Sequence, residues 1–364
     1  MYLLRLHRFL SKEWRGKRYV RGHVYEVQDH STFIEMLGSG FFHEVHAAGF
    51  TGSVTGSRPE LIVIRDGGLG DVLMALPPAQ EFARRHLGIR VSFATSERFV
   101  ELIAAQGFEK VYSLDEIPAG ADRIDLRWYV ERHKAQRDAP RQALFADPFG
   151  LGTTSEEISK CRLVLTVLPE WVSQVVSQIP PDTVRIQPGY RPLVVMAARA
   201  SSAQRSLDPP VLATIATGLL RLGCRVAVTD EDPQVVSEIR GVIPISGLTV
   251  CELAGLISLA DLVVSPDTGA LHLAAHIGIP VVATFTTWPA RLRMQGYDGI
   301  AIEPEGLRCF PCFDHGCPPH WCGVLIDPDQ VIAAARRILA AKFDLAPTYQ
   351  GDASSDGHIV FGKV

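Results

Sequence analysis

The sequence predicts an α/β protein with two parallel-sheet domains, and three observations carry that prediction. Two units of strand, glycine-rich turn and helix lie about 200 residues apart, one running from Leu61 to His86 and the other from Leu262 to Phe285. In each, a short apolar run rich in β-branched residues stops at a turn, and a helical apolar period starts directly after it. The chain has 364 residues, 47% of them hydrophobic and 21% charged, enough to bury two ordinary cores and still carry an appendage.

Residues 1–55 stand apart from both units. Arg5, Arg8, Lys12, Arg15, Lys17, Arg18 and Arg21 crowd around Glu13, and Glu26 and Asp29 follow. The pattern reads as a small basic β-hairpin module with a short helix near Thr32 to Leu37. Charge runs are usually solvated faces, so the expectation is a β-appendage that packs on a neighbouring domain or subunit, with nucleic-acid or membrane contact as the alternative.

The first core domain is expected over 58–185. Leu61 to Arg65 reads as a buried strand, and Asp66-Gly67-Gly68-Leu69-Gly70-Asp71 turns it into a helix ending near His86. No Gly-Lys-Ser/Thr follows the last glycine and the spacing is not Gly-x-Gly-x-x-Gly, which argues against ATP hydrolysis and ordinary NAD binding. Gly68 and Gly70 instead bring Asp71 into a first helical turn at the carboxyl edge of a sheet, where ligands of open α/β sheets bind and where a carboxylate can serve as a base. Strands are expected at 91–95 and 111–114, with a helix at 97–106. From Ala121 to Ser159 the pattern is irregular and rich in Arg, Asp, Pro and Gly; it reads either as an acceptor pocket or as an ordinary variable loop. The proline-rich stretch from Ile179 to Gly189 reads as the interdomain hinge.

The second core domain is expected over 190–345. Its most informative stretch is strand Leu262 to Ser265, the turn Asp267-Thr268-Gly269, and a helix from Ala270 to about Ile277 closed by Gly278 and Pro280. The N–H groups of Thr268, Gly269 and Ala270 form a phosphate seat at the helix start. Asp267, unsuited to a phosphate, is suited to sugar hydroxyls. A phosphate seat beside a sugar grip points to a sugar-nucleotide. Strand Leu193 to Ala197 leads into a loop with Arg199 and Arg205, both candidates for the donor diphosphate or, alternatively, solvated loop arginines. Helix 209–222 and strand 225–229 follow. Asp230-Glu231-Asp232 then suits ribose or base recognition, or the dipole of the helix after Pro233. His272 and His276, four residues apart, lack the acidic third ligand of a helical metal site, so His276 reads as packing. A helix at 329–341 closes the domain, and the tail 346–364, polar from Pro347 onward, is expected to fray.

Cysteine spacing supplies a separate signal. Cys309, Cys312, Cys317 and Cys322 form Cys-x2-Cys-x4-Cys-x4-Cys within the loop 309–322. In a reducing compartment four thiols this close suit a tetrahedral structural zinc or iron better than two disulfides, and such a site keeps no position open for catalysis. His315 or His320 could replace one thiol. Cys161, Cys224 and Cys251 read as buried small hydrophobes.

At this point the residues resemble a known family. Ile62-Val63-Ile64-Arg65 with Gly68-Leu69-Gly70-Asp71-Val72-Leu73 and Pro77, and Ser265-Pro266-Asp267-Thr268-Gly269 with His272-Leu273-Ala274-Ala275 and Gly278-x-Pro280, are similar to the heptosyltransferase-like glycosyltransferases of family 9, the group containing the ADP-heptose:lipopolysaccharide heptosyltransferases. The resemblance spans residues 60 to about 340. It implies the GT-B architecture, two Rossmann-like domains facing a cleft, here with the N-terminal β-rich module added. It also implies inverting transfer of a sugar, with heptose from ADP-heptose as the family expectation, to a hydroxyl on a glycan, a protein or another polymer. Asp71 would be the base and His272 would lie near the donor. Family members carry Lys followed by an aromatic near Arg205; here Arg and Leu207 stand there, which keeps the charge and alters the geometry. No catalytic Mg²⁺ is expected. Some relatives carry a cysteine cluster at the same place, and iron is associated with certain protein-glycosylating members.

Two other functions fit the same architecture, a nucleotide-sugar epimerase and a non-catalytic assembly or binding protein. The net charge of −4 argues against a whole-protein nucleic-acid binder. No apolar run approaches eighteen residues, and Arg5, His7 and Arg8 interrupt the start where a signal peptide needs an apolar core. The expected setting is cytoplasmic, with a peripheral stay at the inner face of the membrane left open. Expected partners are the nucleotide-sugar donor, the acceptor, and a further copy or partner meeting the N-terminal module.

Overall fold

The computed structural model describes residues 59–151, 164–179, 190–237, 239–307, 309–312, 321–343 and 345, together with six short strands near the ends of the chain. Five of these are β1 (Tyr2–Leu6), β2 (Ser11–Trp14), β3 (Lys17–Val20), β4 (Val24–Val27) and β5 (Phe42–Glu44). β1 pairs antiparallel with β4 and with β5, and β2 pairs antiparallel with β3. The helix expected near Thr32 to Leu37 lies outside the described residues.

The first parallel sheet grows from β6 (Glu60–Ile64), whose Leu61–Ile64 are all buried. The turn at Gly67, with φ +93°, needs a residue without a Cβ. It leads into helix α1 (Leu69–Arg85), which buries Val72, Leu73, Ala75, Leu76 and Phe82 against the sheet. β7 (Arg90–Thr95), α2 (Glu97–Ala104), β8 (Val111–Ser113) and β9 (Asp122–Asp125) follow, in the strand order β8-β7-β6-β9 with every pairing parallel. β9 and the helix α3 (Arg141–Ala146) fall inside the stretch read from sequence as irregular. β9 buries only Ile124, so it carries no apolar period for a sequence reading to find.

Helix α4 (Pro169–Val176) precedes the second sheet, whose strands are β10 (Leu193–Ala197), β11 (Arg225–Asp230), β12 (Ile243–Ser246), β13 (Leu262–Pro266), β14 (Val281–Thr284) and β15 (Gly299–Ile302). Between them run α5 (Pro209–Arg221), α6 (Pro233–Ser237), α7 (Val250–Ser258) and α8 (Gly269–Ile277), and α9 (Pro328–Ala340) comes last. The order β12-β11-β10-β13-β14-β15 is the doubly wound arrangement of a dinucleotide-binding sheet, all parallel. Val194, Met196, Val226, Val264 and Val282 from the strands pack with Leu212, Leu219 and Ile332 from α5 and α9. The tail expected to fray departs from that reading at one point: β16 (Val360–Phe361) pairs antiparallel with β15 and covers an otherwise open sheet edge. The rest of the tail from Pro347 lies outside the described residues.

The chain divides into two compact units, Met1–Gly67 with Asp71–Leu163, and Gly68–Gly70 with Val164–Val364. The division lies ahead of the 179–189 stretch read as a hinge. The reason is packing: Trp171 of α4 is 1% exposed, and α4 approaches α7 so closely that a Cβ on Gly255 would lie 2.4 Å from the Trp171 carbonyl oxygen.

Candidate active site

Strand order in the second sheet reverses between β10 and β13, so the loops leaving these two strands flank the crevice in which ligands of such sheets bind. The β13 loop is the turn Asp267-Thr268-Gly269. Thr268 is extended (φ −136°, ψ 174°) as the residue capping α8, but its hydroxyl lies 2.9 Å from Ser265 Oγ and makes no cap bond. The first amides of α8 are therefore not capped by Thr268, which is the condition for an anion seat. Gly269 and Gly70, both grouped with the second unit, are needed for close approach: a Cβ on Gly269 would lie 2.9 Å from the Leu69 side chain, and one on Gly70 only 2.2 Å from the His272 ring.

Asp267 is 5% exposed and surrounded by cationic groups. His272 Nε2 lies 3.6 Å from Oδ1, and Arg293 Nε and Arg205 Nη1 lie 3.8 and 3.9 Å from Oδ2. Arg205 Nη1 also donates to the Asp267 carbonyl at 2.7 Å. Burial on its own would raise the carboxyl pKa, but His272, then Arg293 and Arg205, outweigh it and hold Asp267 well below the usual carboxylate range. In this arrangement the Asp267 side chain lies between three protein nitrogen donors.

His272 is buried, and its Nδ1 lies 2.7 Å from the Tyr297 hydroxyl. Burial, followed by the negative charge of Asp267, pushes the Tyr297 pKa far up, so the phenol stays protonated. His276 packs its ring edge-on against Tyr297 at 5.8 Å. Arg293 stacks over the Trp288 ring at 4.5 Å. Arg205 is steadied by Ser201 Oγ at 2.6 Å and Ser202 Oγ at 3.2 Å.

The other expected donor contacts form a separate group. Arg199 donates to Asp230 at 2.6 and 3.1 Å and lies 3.7 Å from Asp232, while Glu231 is exposed. Burial opposes charge on Asp230, but the Arg199 bonds and the Asp232 amide lower its pKa overall. Arg199 and Asp230, each read as a ligand contact, are each other's partners here.

In the first unit Asp71 sits in a ring of alternating charge. Arg65 Nη2 lies 3.0 Å from Asp71 Oδ2 and 3.2 Å from Glu131 Oε1, and Arg141 bonds both Asp71 Oδ1 and Glu131 Oε1. Both arginines are buried and lie against the Phe145 ring. Glu131 Oε2 is buried without a hydrogen-bond partner among the described residues.

Of the four clustered cysteines, Cys309 is exposed, Cys312 and Cys322 are buried, and Cys317 lies outside the described residues. The Cys312 amide donates to the Thr287 carbonyl at 2.9 Å, and a Cβ on Gly323 would meet the Ser206 carbonyl oxygen at 2.4 Å. The cysteine loop thus abuts both segments that carry the Asp267 partners Arg205 and Arg293. Among the described residues no group of three or more His, Cys, Asp or Glu side chains is arranged to hold a metal ion, and no helix is long and apolar enough to cross a membrane.

Residues 233–319 match the sequence model of glycosyltransferase family 9 (heptosyltransferase). The matched stretch lies wholly within the second unit. No curated protein matches the chain in sequence. Among solved structures, the family 9 glycosyltransferase from Veillonella parvula DSM 2008 is 15% identical, with 78% of this chain and 97% of that one covered and a TM-score of 0.59. The iron-containing dodecameric glycosyltransferase TibC from enterotoxigenic E. coli H10407 is 19% identical, with 82% and 79% covered and a TM-score of 0.60; TibC has also been solved in complex with ADP-D-β-D-heptose. The ADP-heptose lipopolysaccharide heptosyltransferase II of E. coli is 14% identical, with 78% and 99% covered and a TM-score of 0.51. At these identities the likeness is one of fold, the GT-B fold anticipated from sequence.

The family 9 segment contains Asp267, Thr268, Gly269, Ala270 and His272, together with Arg293, Trp288 and Tyr297, which sequence reading missed. Arg65, Glu131 and Arg141 in the first unit were missed as well. Tyr297 and Arg293 follow β14 by more than eight residues with no glycine motif to flag them, and Arg141 is 70 residues from Asp71, so no local signal links these residues to the motifs.

Proposed function

We propose that the protein is an inverting glycosyltransferase that moves a heptose from ADP-heptose to an acceptor hydroxyl, without a catalytic Mg²⁺. The observation that carries this reading is the Arg205–Asp267–His272 group beside the α8 amides at the switch point of the second sheet. Arg205 and the N–H groups of Thr268, Gly269 and Ala270 meet the charge developing on the leaving diphosphate, an electrostatic site already oriented before reaction. Asp267 fixes Arg205, Arg293 and His272 toward the donor; Arg199 with Asp230 and Glu231 contributes to the nucleoside side. Asp71 removes the acceptor proton, and the hydroxyl oxygen attacks the anomeric carbon as the bond to the diphosphate breaks.

A second reading of the base is favoured by one observation. Glu131 shares both arginines with Asp71 yet keeps Oε2 without a hydrogen-bond partner, whereas both Asp71 oxygens face guanidinium groups.

The reading includes a structural zinc or iron on Cys309, Cys312, Cys317 and Cys322, supported by the thiol spacing and the burial of Cys312 and Cys322. Held there, the metal would tie the loop that abuts the Arg205 and Arg293 segments. TibC, with the same fold, is iron-containing and dodecameric; assembly of this chain with further copies through residues 1–55 belongs to the same proposal, as do a glycan or protein acceptor and a cytoplasmic setting.

The test is a thermal-shift and calorimetric screen against ADP-, GDP- and UDP-sugars, because a ligand that binds only the folded protein must raise its stability. Selective stabilisation by ADP-heptose is expected. Stabilisation by none of them overturns the reading, and interconversion of the free nucleotide-sugar without acceptor would favour an epimerase.

A further inference from the structure

Trp128 occupies a position that the first unit itself does not account for. Its φ is +60°, the left-handed region, and it is the one non-glycine residue with positive φ among the described residues. A bulky side chain there is disfavoured, and glycine would be unstrained. The indole is 63% exposed, with no hydrogen bond or ring contact among the described residues. It therefore adds little to the core while the backbone beneath it is strained.

The surrounding turn is held firmly. Leu126, fully buried, donates its amide to the Ile64 carbonyl at 2.8 Å, and its own carbonyl accepts from Arg65 Nη1 at 3.1 Å. The Trp128 carbonyl accepts from the Arg132 amide at 3.1 Å, Val130 is buried, and the Tyr129 hydroxyl bonds Asp147. Anchors on both sides thus keep the strained residue in place and turn its ring outward. Strain that persists under such anchoring, on a loop at the carboxyl edge of a parallel sheet, is a pointer to function.

The neighbours define the ligand. Asp125 and Arg127, within three residues of Trp128, are exposed and paired at 2.7 Å, so this is no apolar protein-docking patch. Three residues beyond Trp128 is Glu131, which the arginines Arg65 and Arg141 tie to Asp71. An exposed aromatic ring on an anchored turn, with Asp125, Arg127 and Glu131 within three residues of it along the chain, suits a saccharide, whose C–H face stacks on the ring while its hydroxyls bond charged groups.

We infer that Trp128 is the stacking platform for a saccharide acceptor. The inference rests on the glycosyl-transfer reading and names the acceptor class for it.

The test uses the full chain with ¹⁵N-labelled indoles and the methyl glycosides of glucose, galactose, mannose and L-glycero-D-manno-heptose as probes. At least one glycoside should shift the Trp128 indole resonance saturably. Trp128→Gly should bind it about ten-fold more weakly or worse, while Trp128→Phe keeps most of the affinity. Trp128→Gly should also melt no lower than the parent, because glycine relieves the positive φ. The inference is overturned if no glycoside moves the resonance, if affinity survives in Trp128→Gly, or if that variant melts lower, which would make the indole a structural residue. Donor binding is read separately by nucleotide-sugar thermal shift on the same proteins. A parent protein that binds no glycoside but keeps donor stabilisation sinks the platform alone; glycoside binding without any donor stabilisation supports the platform and sinks the transfer reading.

Discussion

His272 is held between two groups: its Nδ1 lies 2.7 Å from the Tyr297 hydroxyl and its Nε2 lies 3.6 Å from Asp267 Oδ1. The prediction is that the hydroxyl donates to Nδ1, which leaves the Nε2 position for the ring proton on the side of Asp267. Tyr297→Phe removes the donor and leaves a buried ring nitrogen unsatisfied, at a cost of about 1–3 kcal/mol in stability. The checks are ¹⁵N spectra of the histidine ring and steady-state kinetics. The Nε2–H pattern should weaken, and turnover should drop about ten-fold with little change in donor KM. Unchanged spectra would show that Tyr297 does not set the tautomer.

Asp267 makes stability depend on acid pH. Its folded pKa lies below the unfolded value of about 3.9, so through the acid range the unfolded chain binds the extra proton. The stability it confers is complete above that unfolded value and is lost as pH falls toward the depressed folded one. Denaturant melts at neutral and acid pH should show this loss in the parent and a flatter profile in Asp267→Asn. At neutral pH the variant should be less stable by about 3 kcal/mol, since the part-buried Arg293 and Arg205 lose their counter-charge.

The ring joining Arg65, Asp71, Glu131 and Arg141 allows the base to be assigned. Asp71→Asn should lower turnover by about 10²-fold or more with donor binding retained, and Glu131→Gln should cost far less. The opposite order would move the base to Glu131. Arg141→Met leaves two carboxylates short of a partner and should destabilise the chain by about 3 kcal/mol, read as a drop in melting temperature.

The cysteine loop should hold one metal per chain, measured by elemental analysis of the purified protein. Chelation, or Cys322→Ser, should lower the melting temperature and raise donor KM more than it lowers kcat, because the loop buttresses Ser206 and Thr287 at the edges of the Arg205 and Arg293 segments. A metal-free protein with the same melting temperature and KM would remove the metal from the account.

Much of the fold was legible in the sequence because its signals are local. β10 runs from Leu193 to Ala197 as the apolar run predicted, and α8 ends at Gly278, whose φ is +90°. Apolar period, helix caps and glycine turns are all set by neighbours a few residues apart. The same logic singled out Asp71, Arg205 and the Asp267 turn as candidates. It passed over β9, which buries one residue, and it did not foresee that Arg199, after β10, bonds Asp230 at the end of β11.

By itself, then, the sequence determined the two doubly wound units, the glycine turns and the identity of the charged residues at the strand ends, since backbone conformation and hydrophobic period need only nearby residues. Only the tertiary structure decided what those charges face. Arg141 meets Asp71 across 70 positions, Arg205 meets the Asp267 carbonyl across 62, and Tyr297 meets His272 across 25. The physical reason is that electrostatic partnership depends on distance in space and on burial, and parallel-sheet crossovers bring residues together that no spacing along the chain relates.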